Sequence, residues 1–570
     1  MKNHKLLSYL LISLVILIAA CSKKESAVNI SEDILINQIG YPAQAEKKAL
    51  LRIDADEFSV KNTAGETVYT GKTGEWKSWE LSGDSVRLAD FSDFTSPGEY
   101  VVSVNDSVQS YPFLIGDRLY SNLADAVLKS YYFARCGVDI DSVHGGMWHR
   151  KAGHPDTLVM IHTSAADGYR PKGTVISSPG GWYDAGDYGK YIVNSGITTY
   201  TLLLSSEMNK EYHHQQSLNI PESGDDVPDI LDETLVNLKW MLTMQDPNDG
   251  GVYHKLTTKN FVGFVMPAET HDQRYVVQKS TAAALDFAAT MAHAVGVLQA
   301  NGMDELAGQA KESAVKAWNW ALRHPDVLYR QPEDISTGAY GDGSLVDEWF
   351  WAAAEMYLMN GEKEYLDLMK DNYSKPVTPT WNQVQTLGVI SILNSDKRNK
   401  FPEIEQDFIA HVDHLLAKEK SAPYVVSIDK FAWGSNSDVA NDGMLKLIAY
   451  HLTGDTKYVA SAQNDLNYLL GRNATAYCFI TGFGSKSTMH PHQRISSADG
   501  VEPPMPGYLA GGPNISVMTD CNPDEVSRSK FPAKSYADVE CSYSTNETAI
   551  NWNAPLVFLV SGIDYFDATR

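Results

Sequence analysis

Cysteine is scarce in this chain. Five occur in 570 residues, with no C-x-x-C pair, which excludes a disulfide-built scaffold and a thiolate metal ribbon. Past Cys21 only Cys136, Cys478, Cys521 and Cys541 remain, and Cys521 and Cys541 are candidates for one bridge. Basic residues are also few. Lys plus Arg is 47 against 71 for Asp plus Glu, a formal charge of −24, which argues against a protein that neutralises nucleic-acid phosphates or anionic headgroups. No residue-level repeat and no low-complexity tract interrupts the chain. What it does have is apolar and aromatic: 43% hydrophobic residues, 30 Tyr and 12 Trp. That content builds a large core, and the length exceeds one ordinary domain, so two domains are expected. Tyr and Trp at this density suit flat, hydroxyl-rich partners as well as plain core filling.

Lys2 and Lys5 precede an apolar run from Leu6 to Ala20, the h-region of a removable signal peptide, residues 1–20. The run ends Leu17-Ile18-Ala19-Ala20-Cys21, which resembles a bacterial lipobox, where the cysteine is diacylated and becomes the new N-terminus. Lipidation at Cys21 would hold the protein on a Gram-negative envelope by a lipid anchor alone, without spanning the membrane. A plain secretory peptide with a coincidental cysteine is the bland alternative. Residues 21–32 then read as a polar tether.

From residue 33 to 116 the pattern has period two, as in Ala49-Leu50-Leu51-Arg52-Ile53 and Tyr100-Val101-Val102-Ser103-Val104, broken by turns at Ala64-Gly65, Ser82-Gly83 and Ser96-Pro97-Gly98. Short strands at that spacing imply a β-sandwich. From 117 to 570 the period is helical. Leu231, Leu235, Leu238 and Leu242 repeat behind Pro228-Asp229, a suitable first turn. Amphipathic segments fall near 119–136, 190–209, 228–245, 279–300, 304–322, 345–359, 363–373, 381–394, 403–419, 438–453, 456–470 and 547–562. Twelve helices between long loops suggest six hairpins closed into an α/α barrel, the loops of one end forming a cleft.

Three segments carry chemistry. In Gly180-Gly181-Trp182-Tyr183-Asp184-Ala185-Gly186-Asp187-Tyr188-Gly189-Lys190-Tyr191 two carboxylates stand three apart before a helix. They can converge on one water, one accepting its proton while the other orients it; helix capping is the competing reading of an isolated pair. Near the end, Glu547 follows an aromatic-rich loop containing Tyr536 and Tyr543 and opens an apolar helix. A carboxyl partly removed from water there can keep its proton and act as a general acid. The third segment, Thr481-Gly482-Phe483-Gly484 through His490-Pro491-His492-Gln493-Arg494, offers donors for sugar hydroxyls.

Together these segments resemble the signatures of the glycoside hydrolase family 9 cellulases, in the family's order. The resemblance extends through Gln245-Asp246-Pro247 to Lys255, Asp347-Glu348-Trp349-Phe350-Trp351, Trp433-Gly434-Ser435-Asn436-Ser437 and Tyr468-Leu469-Leu470-Gly471-Arg472-Asn473. Asn37-Gln38-Ile39-Gly40-Tyr41 looks like the start of the immunoglobulin-like module that precedes the catalytic domain in one branch of the family. The resemblance implies a mainly α fold, an (α/α)6 barrel behind an immunoglobulin-like β-sandwich. It makes Asp187 the catalytic base, Asp184 its partner in holding the water, and Glu547 the general acid. It places His492 and Arg494 at the sugar, and Tyr543, Trp433 and Tyr253, with Trp182 and Tyr183, among the candidates for stacking on it.

There are departures from the family pattern. Where members of this branch commonly read Ala-Cys-His, this chain has Ala152-Gly153-His154, which argues against a structural zinc shared with Cys136. His149, His154 and Asp156 stay as an alternative metal set. The tandem His of the family is His492-Gln493 here. Asp347-Glu348, after Gly341-Asp342-Gly343, matches a loop that holds structural calcium in family members; a solvated acidic loop is the other reading. No cofactor is expected for the chemistry itself.

The reading that follows is an inverting endo-β-1,4-glucanase acting on cellulose-like, mixed-linkage or xyloglucan chains. It is expected to be a monomer, with no nucleic-acid partner. The lack of a separate carbohydrate-binding module favours soluble glucans over crystalline cellulose. Rivals are an exo-acting β-glucosidase or glucosaminidase of the same fold, a catalytically silent glycan-binding lipoprotein, and a metal hydrolase built on the His149 set.

Overall fold

The computed structural model describes residues 29–569. The signal peptide, the lipobox cysteine Cys21 and most of the tether lie outside the described residues.

Strands from Asn29–Ile30 to Phe113–Gly116 form a seven-stranded and a four-stranded sheet facing one another. Ile34–Leu35 pairs antiparallel with Lys48–Leu51, Ile34 opposite Leu51 and Leu35 opposite Leu50. Because successive side chains point to opposite faces, this ladder serves two cores. Ile34 and Leu51 pack inside the sandwich with Phe58, Val102 and Phe113. Leu35 and Leu50 join Trp79 and Val86 in the core of the helical domain. The sandwich is therefore welded to the barrel rather than tethered beside it.

Polar contacts fix that seam. Asn37 Nδ2 donates to Asn467 Oδ1 at 2.8 Å and to the Tyr120 hydroxyl at 3.1 Å. Gln38 Nε2 donates to the Ala476 carbonyl, and Lys486 N–H donates back to Gln38 Oε1, both at 2.8 Å. The family-like Asn37-to-Tyr41 segment is thus a docking strip. Further along, Asp84 meets Lys534 at 2.6 Å and Arg52 at 3.3 Å, while Trp79 packs on Tyr424 with ring centres 4.6 Å apart.

Twelve helices of nine residues or more follow among the described residues, from Ser121–Ala134 to Ile550–Ala568. Six form an inner ring: Ile192–Met208, Thr281–Ala300, Val346–Asn360, Gln385–Leu393, Ser435–Thr453 and Ile550–Ala568. Consecutive members pack on one another, Gln385–Leu393 reaching Ser435–Thr453 through Pro402–Ser421, and the last returns to the first. Inner helices are buried on nearly every side, as Gln385–Leu393 shows with all nine residues buried. Outer helices such as Pro402–Ser421 bury one stripe, the pattern expected where one face meets water. This is the (α/α)6 barrel read from the helical period.

Five strands of two or three residues, including Val159–Ile161, Lys190–Tyr191, Lys255–Thr257 and Tyr275–Val276, form a small extra sheet. The sequence reading missed them, because segments this short leave no periodicity. Lys190–Tyr191 leads directly into Ile192–Met208 and fixes where the loop before it must end.

Candidate functional site

The glycine-rich segment before Lys190 folds back on itself, the Asp184 N–H donating to the Gly189 carbonyl at 3.1 Å. The first helical N–H of Ile550 donates to the Asp184 carbonyl at 2.8 Å. That bond brings the loop against the segment that carries Glu547. Glu547 is held on both sides: His492 pairs with it as an isolated parallel bridge, and Gly511 N–H donates to its carbonyl at 2.8 Å. Gly186 closes the arrangement. Its N–H donates to Glu547 Oε1 at 3.3 Å, and a Cβ there would lie 2.2 Å from the His492 carbonyl oxygen. Only glycine lets the two segments approach so closely.

The pair Asp184 and Asp187 is thus brought to Glu547 from about 360 residues away in sequence. Asp187 Oδ2 accepts from the Tyr191 hydroxyl at 2.9 Å and the Gly189 N–H at 3.1 Å. Among the described residues no group donates to its Oδ1. Asp184 is buried, with Asn194 Nδ2 donating to Oδ1 at 2.9 Å and the Tyr340 hydroxyl donating to Oδ2 at 2.9 Å. Burial, reinforced by the charge of Asp187, pushes the Asp184 carboxyl up to about 8. Burial also pushes Glu547 up to about 8, with Asp187 and Asp184 adding to the effect. A carboxyl in that state keeps its proton at neutral pH.

Tyr191, Tyr340 and Asn194 escaped the sequence reading. Tyr191 closes the quoted motif and Tyr340 precedes Gly341-Asp342-Gly343, but neither position announces its partner. The two rings meet edge to face at 4.7 Å. Lys255 lies 5.5 Å above the Tyr191 ring, its Nζ donating to Thr337 Oγ1 at 3.0 Å, and burial lowers it to about 7.

The expected sugar-binding residues divide. His492 Nδ1 bonds the Glu540 carbonyl at 2.6 Å, which makes Nδ1 the donor and leaves Nε2 as an acceptor for a hydroxyl. Burial holds His492 below the usual histidine range, hence neutral. Tyr543 lies 5.9 Å from His492 and 5.5 Å from Trp433, which is 43% exposed. These three form an aromatic strip beside Glu547. Arg494 is buried, and its guanidinium donates to the Gly186 carbonyl at 2.6 Å and the Val262 carbonyl at 2.9 Å. It braces the loop. Tyr253 is a correction: it is fully buried, its hydroxyl donates to Asp246 Oδ2 at 2.9 Å and it sits beneath Lys279, so it cannot stack on a sugar. Trp182 and Tyr183 are likewise buried in the core.

The alternative metal set is also not assembled. His154 bonds Tyr183 through Nδ1 at 3.0 Å and Thr270 through Nε2 at 2.6 Å, and Asp156 is neutralised by Lys190 at 2.7 Å and Arg274 at 3.1 Å. His149 is exposed. At the other expected metal position, Asp347 Oδ2 accepts from Val384 N–H at 2.9 Å. Nearby, Glu348 Oε2, Asp342 Oδ2 and both oxygens of the fully buried Asp286 have no hydrogen-bond partner among the described residues. Unpartnered buried oxygens of this kind fit a hard cation. Among the described residues, however, no three acidic, His or Cys side chains converge as ligands, so backbone or water oxygens would have to complete the shell. The cysteines Cys521 and Cys541 form a disulfide, and Cys136 and Cys478 are buried and free.

Comparison with known proteins agrees with this geometry. Residues 120–560 match the family model of glycosyl hydrolase family 9, and residues 29–109 match the cellulase N-terminal ig-like domain. A xyloglucan-specific endo-beta-1,4-glucanase of Bacteroides ovatus is 41% identical, covering 96% of each chain. Endoglucanase D of Acetivibrio thermocellus is 32% identical over 96% of this chain and 87% of its own. Among solved structures, that of Bacteroides ovatus GH9 superposes with a TM-score of 0.88 at 40% identity, covering 94% of this chain and 99% of the other. A thermostable endoglucanase from Alicyclobacillus acidocaldarius gives 0.83 at 30% identity, covering 94% of this chain and 100% of its own. The fold, the clustered carboxyls and these matches lead to one assignment: the chain belongs to glycosyl hydrolase family 9 and is a glycoside hydrolase with an immunoglobulin-like N-terminal domain.

Proposed function

We propose that this endo-β-1,4-glucanase opens soluble, branched β-glucans of the xyloglucan kind, with Asp187 as general base, Asp184 as its partner in holding the water and Glu547 as general acid. One observation carries the assignment of roles. Gly186 hydrogen-bonds Glu547, while the adjacent Asp187 has one oxygen anchored by Tyr191 and Gly189 and the other without a donor among the described residues. Glu547, pushed up to about 8, holds a proton to give the leaving glycosidic oxygen. Asp187 Oδ1 accepts a proton from water as that water attacks the anomeric carbon from the opposite face. Both bonds change in one displacement, so the configuration inverts and no covalent glycosyl-enzyme forms. The xyloglucan preference is supported by the specificity carried in the name of the Bacteroides ovatus relative. We extend the proposal to the envelope: acylation at Cys21 would keep the enzyme where such chains arrive.

Proton NMR of the first products tests the mechanism. The α-anomer appearing first from a β-linked glucan is expected, and β-anomer first would overturn it. Asp187→Asn and Glu547→Gln should each lower turnover by about 10² to 10⁴, the usual worth of a positioned proton transfer. Wild-type turnover in either variant would remove that residue from its role.

A further inference from the structure

Between the strands Lys255–Thr257 and Tyr275–Val276 the chain makes a long excursion that lines an open surface pocket of about 480 Å³. That size lies in the range of small-ligand sites, and none of the catalytic roles above uses it. Its wall is nonetheless joined to the acid by three consecutive hydrogen bonds. The Val262 carbonyl, in the cavity lining, accepts from Arg494 Nε at 2.9 Å. Arg494 Nη1 donates to the Gly186 carbonyl at 2.6 Å, and Gly186 N–H donates to Glu547 at 3.3 Å. A second tie runs from the Val265 carbonyl to the Tyr188 hydroxyl at 2.7 Å. The neighbouring Phe264 ring stands edge to face against His492 at 5.2 Å.

We propose that this cavity is a subsite for a neutral side-chain sugar branching from the glucan backbone, an inference that rests on the endoglucanase reading above. The lining combines the two features a sugar ring needs. Phe261 is 48% exposed yet held in place by the Arg494 guanidinium, 5.3 Å from its ring centre; an apolar sugar face can settle on such a surface at little cost in side-chain freedom. Around it stand hydrogen-bonding groups still open to a ligand: His271 and Asp272 are exposed and receive no hydrogen bond from the described residues. The charges point to an uncharged occupant. Lys259 is already paired with Asp334 at 2.7 Å, and two acidic side chains, Glu269 and Asp272, stand in the same lining. An anionic substituent such as a uronic acid would be repelled. Gly263, in the same wall, leaves the space open: a Cβ built there meets nothing within 4 Å.

The test fills the cavity in one variant and removes its platform in another. Gly263→Phe and Phe261→Ala are compared with wild type on xyloglucan and on unbranched mixed-linkage glucan, with thermal melts to confirm folding. The ratio of kcat/KM on xyloglucan to that on mixed-linkage glucan is expected to fall about tenfold in each, carried by KM, as loss of one stacked ring corresponds to roughly that factor. An unchanged ratio in folded Phe261→Ala would overturn the subsite, as would an equal loss on both glucans. Wild-type enzyme that cuts mixed-linkage glucan but not xyloglucan would sink the subsite and leave the endoglucanase intact. Wild-type enzyme inert on both would sink the reading beneath it.

Discussion

The Tyr191 hydroxyl donates to Asp187 Oδ2 at 2.9 Å, from a residue that ends a strand and begins the inner helix Ile192–Met208. Its ring packs at 4.7 Å on Tyr340, whose hydroxyl does the same for Asp184. Two phenols in contact therefore set the angle between two carboxyls. Neither needs to touch substrate to matter. Tyr191→Phe keeps the packing and removes one hydrogen bond, so kcat should fall about tenfold or more while KM stays close to wild type. A changed KM with unchanged kcat would mean that Tyr191 acts on binding instead.

Asp184 and Asp187 stand out by their glycine-rich setting, and the close approach at Gly186 explains one of those glycines; Glu547 has no glycine near it, and its role, like theirs, came from the resemblance of three segments taken together. The twelve helices were legible through their period, since an inner helix such as Thr281–Ala300 and an outer one such as Asp304–Arg323 differ in how much of their circumference is apolar. Tyr253 was misread. The resemblance made it a candidate for stacking on sugar, and only the fold reveals that its hydroxyl is committed to Asp246. Tyr340 was invisible for a different reason: its backbone takes a left-handed φ of 48°, a conformation a tyrosine enters only when its surroundings impose it.

The seam between sandwich and barrel should be a stability element. Asn37→Ala removes one buried hydrogen bond each from Tyr120 and Asn467, both of which keep Gln463 as a partner, at about 1 kcal/mol for each bond lost. A melting temperature lower by several degrees is expected, with turnover at 25 °C unchanged. Wild-type melting combined with weaker retention of long glucans would make the sandwich a binding module instead.

Calcium should stabilise the barrel through the acidic group at Asp347 and Glu348. Burial, then the neighbouring Asp286 and Asp347, pushes the Glu348 carboxyl well above the usual range, and Asp286 is raised in the same way. Among the described residues no lysine or arginine pairs with these acids. A bound divalent ion would relieve the repulsion and raise stability in proportion to the logarithm of its free concentration. Melts with a chelator and with millimolar calcium should differ by several degrees. Coincident midpoints, or no calcium retained after desalting, would strike the ion from the structure.

The acid Glu547 ties activity and stability to pH in different windows. Its carboxyl is ordinarily near 4.5 and stands at about 8 in the folded chain. Below about pH 4.5 both folded and unfolded chains hold the proton, and nothing is lost. Between about 4.5 and 8 the unfolded chain ionises while the folded one does not, so stability drains away steadily as pH rises; above 8 the full cost is present. Turnover behaves differently: it needs the proton, so kcat should hold to about pH 8 and then fall tenfold per unit as the acid ionises. Glu547→Gln cannot ionise and separates the two. At pH 7 it should melt a few degrees above wild type, the advantage shrinking toward pH 4.5, while its turnover stays low and shows no decline at pH 8. The burial that keeps the proton available is then a destabilising feature retained for catalysis. A variant that melts below wild type at pH 7, or an advantage that grows toward acid pH, would show that Glu547 is stabilising the fold as a carboxylate and cannot be the proton donor.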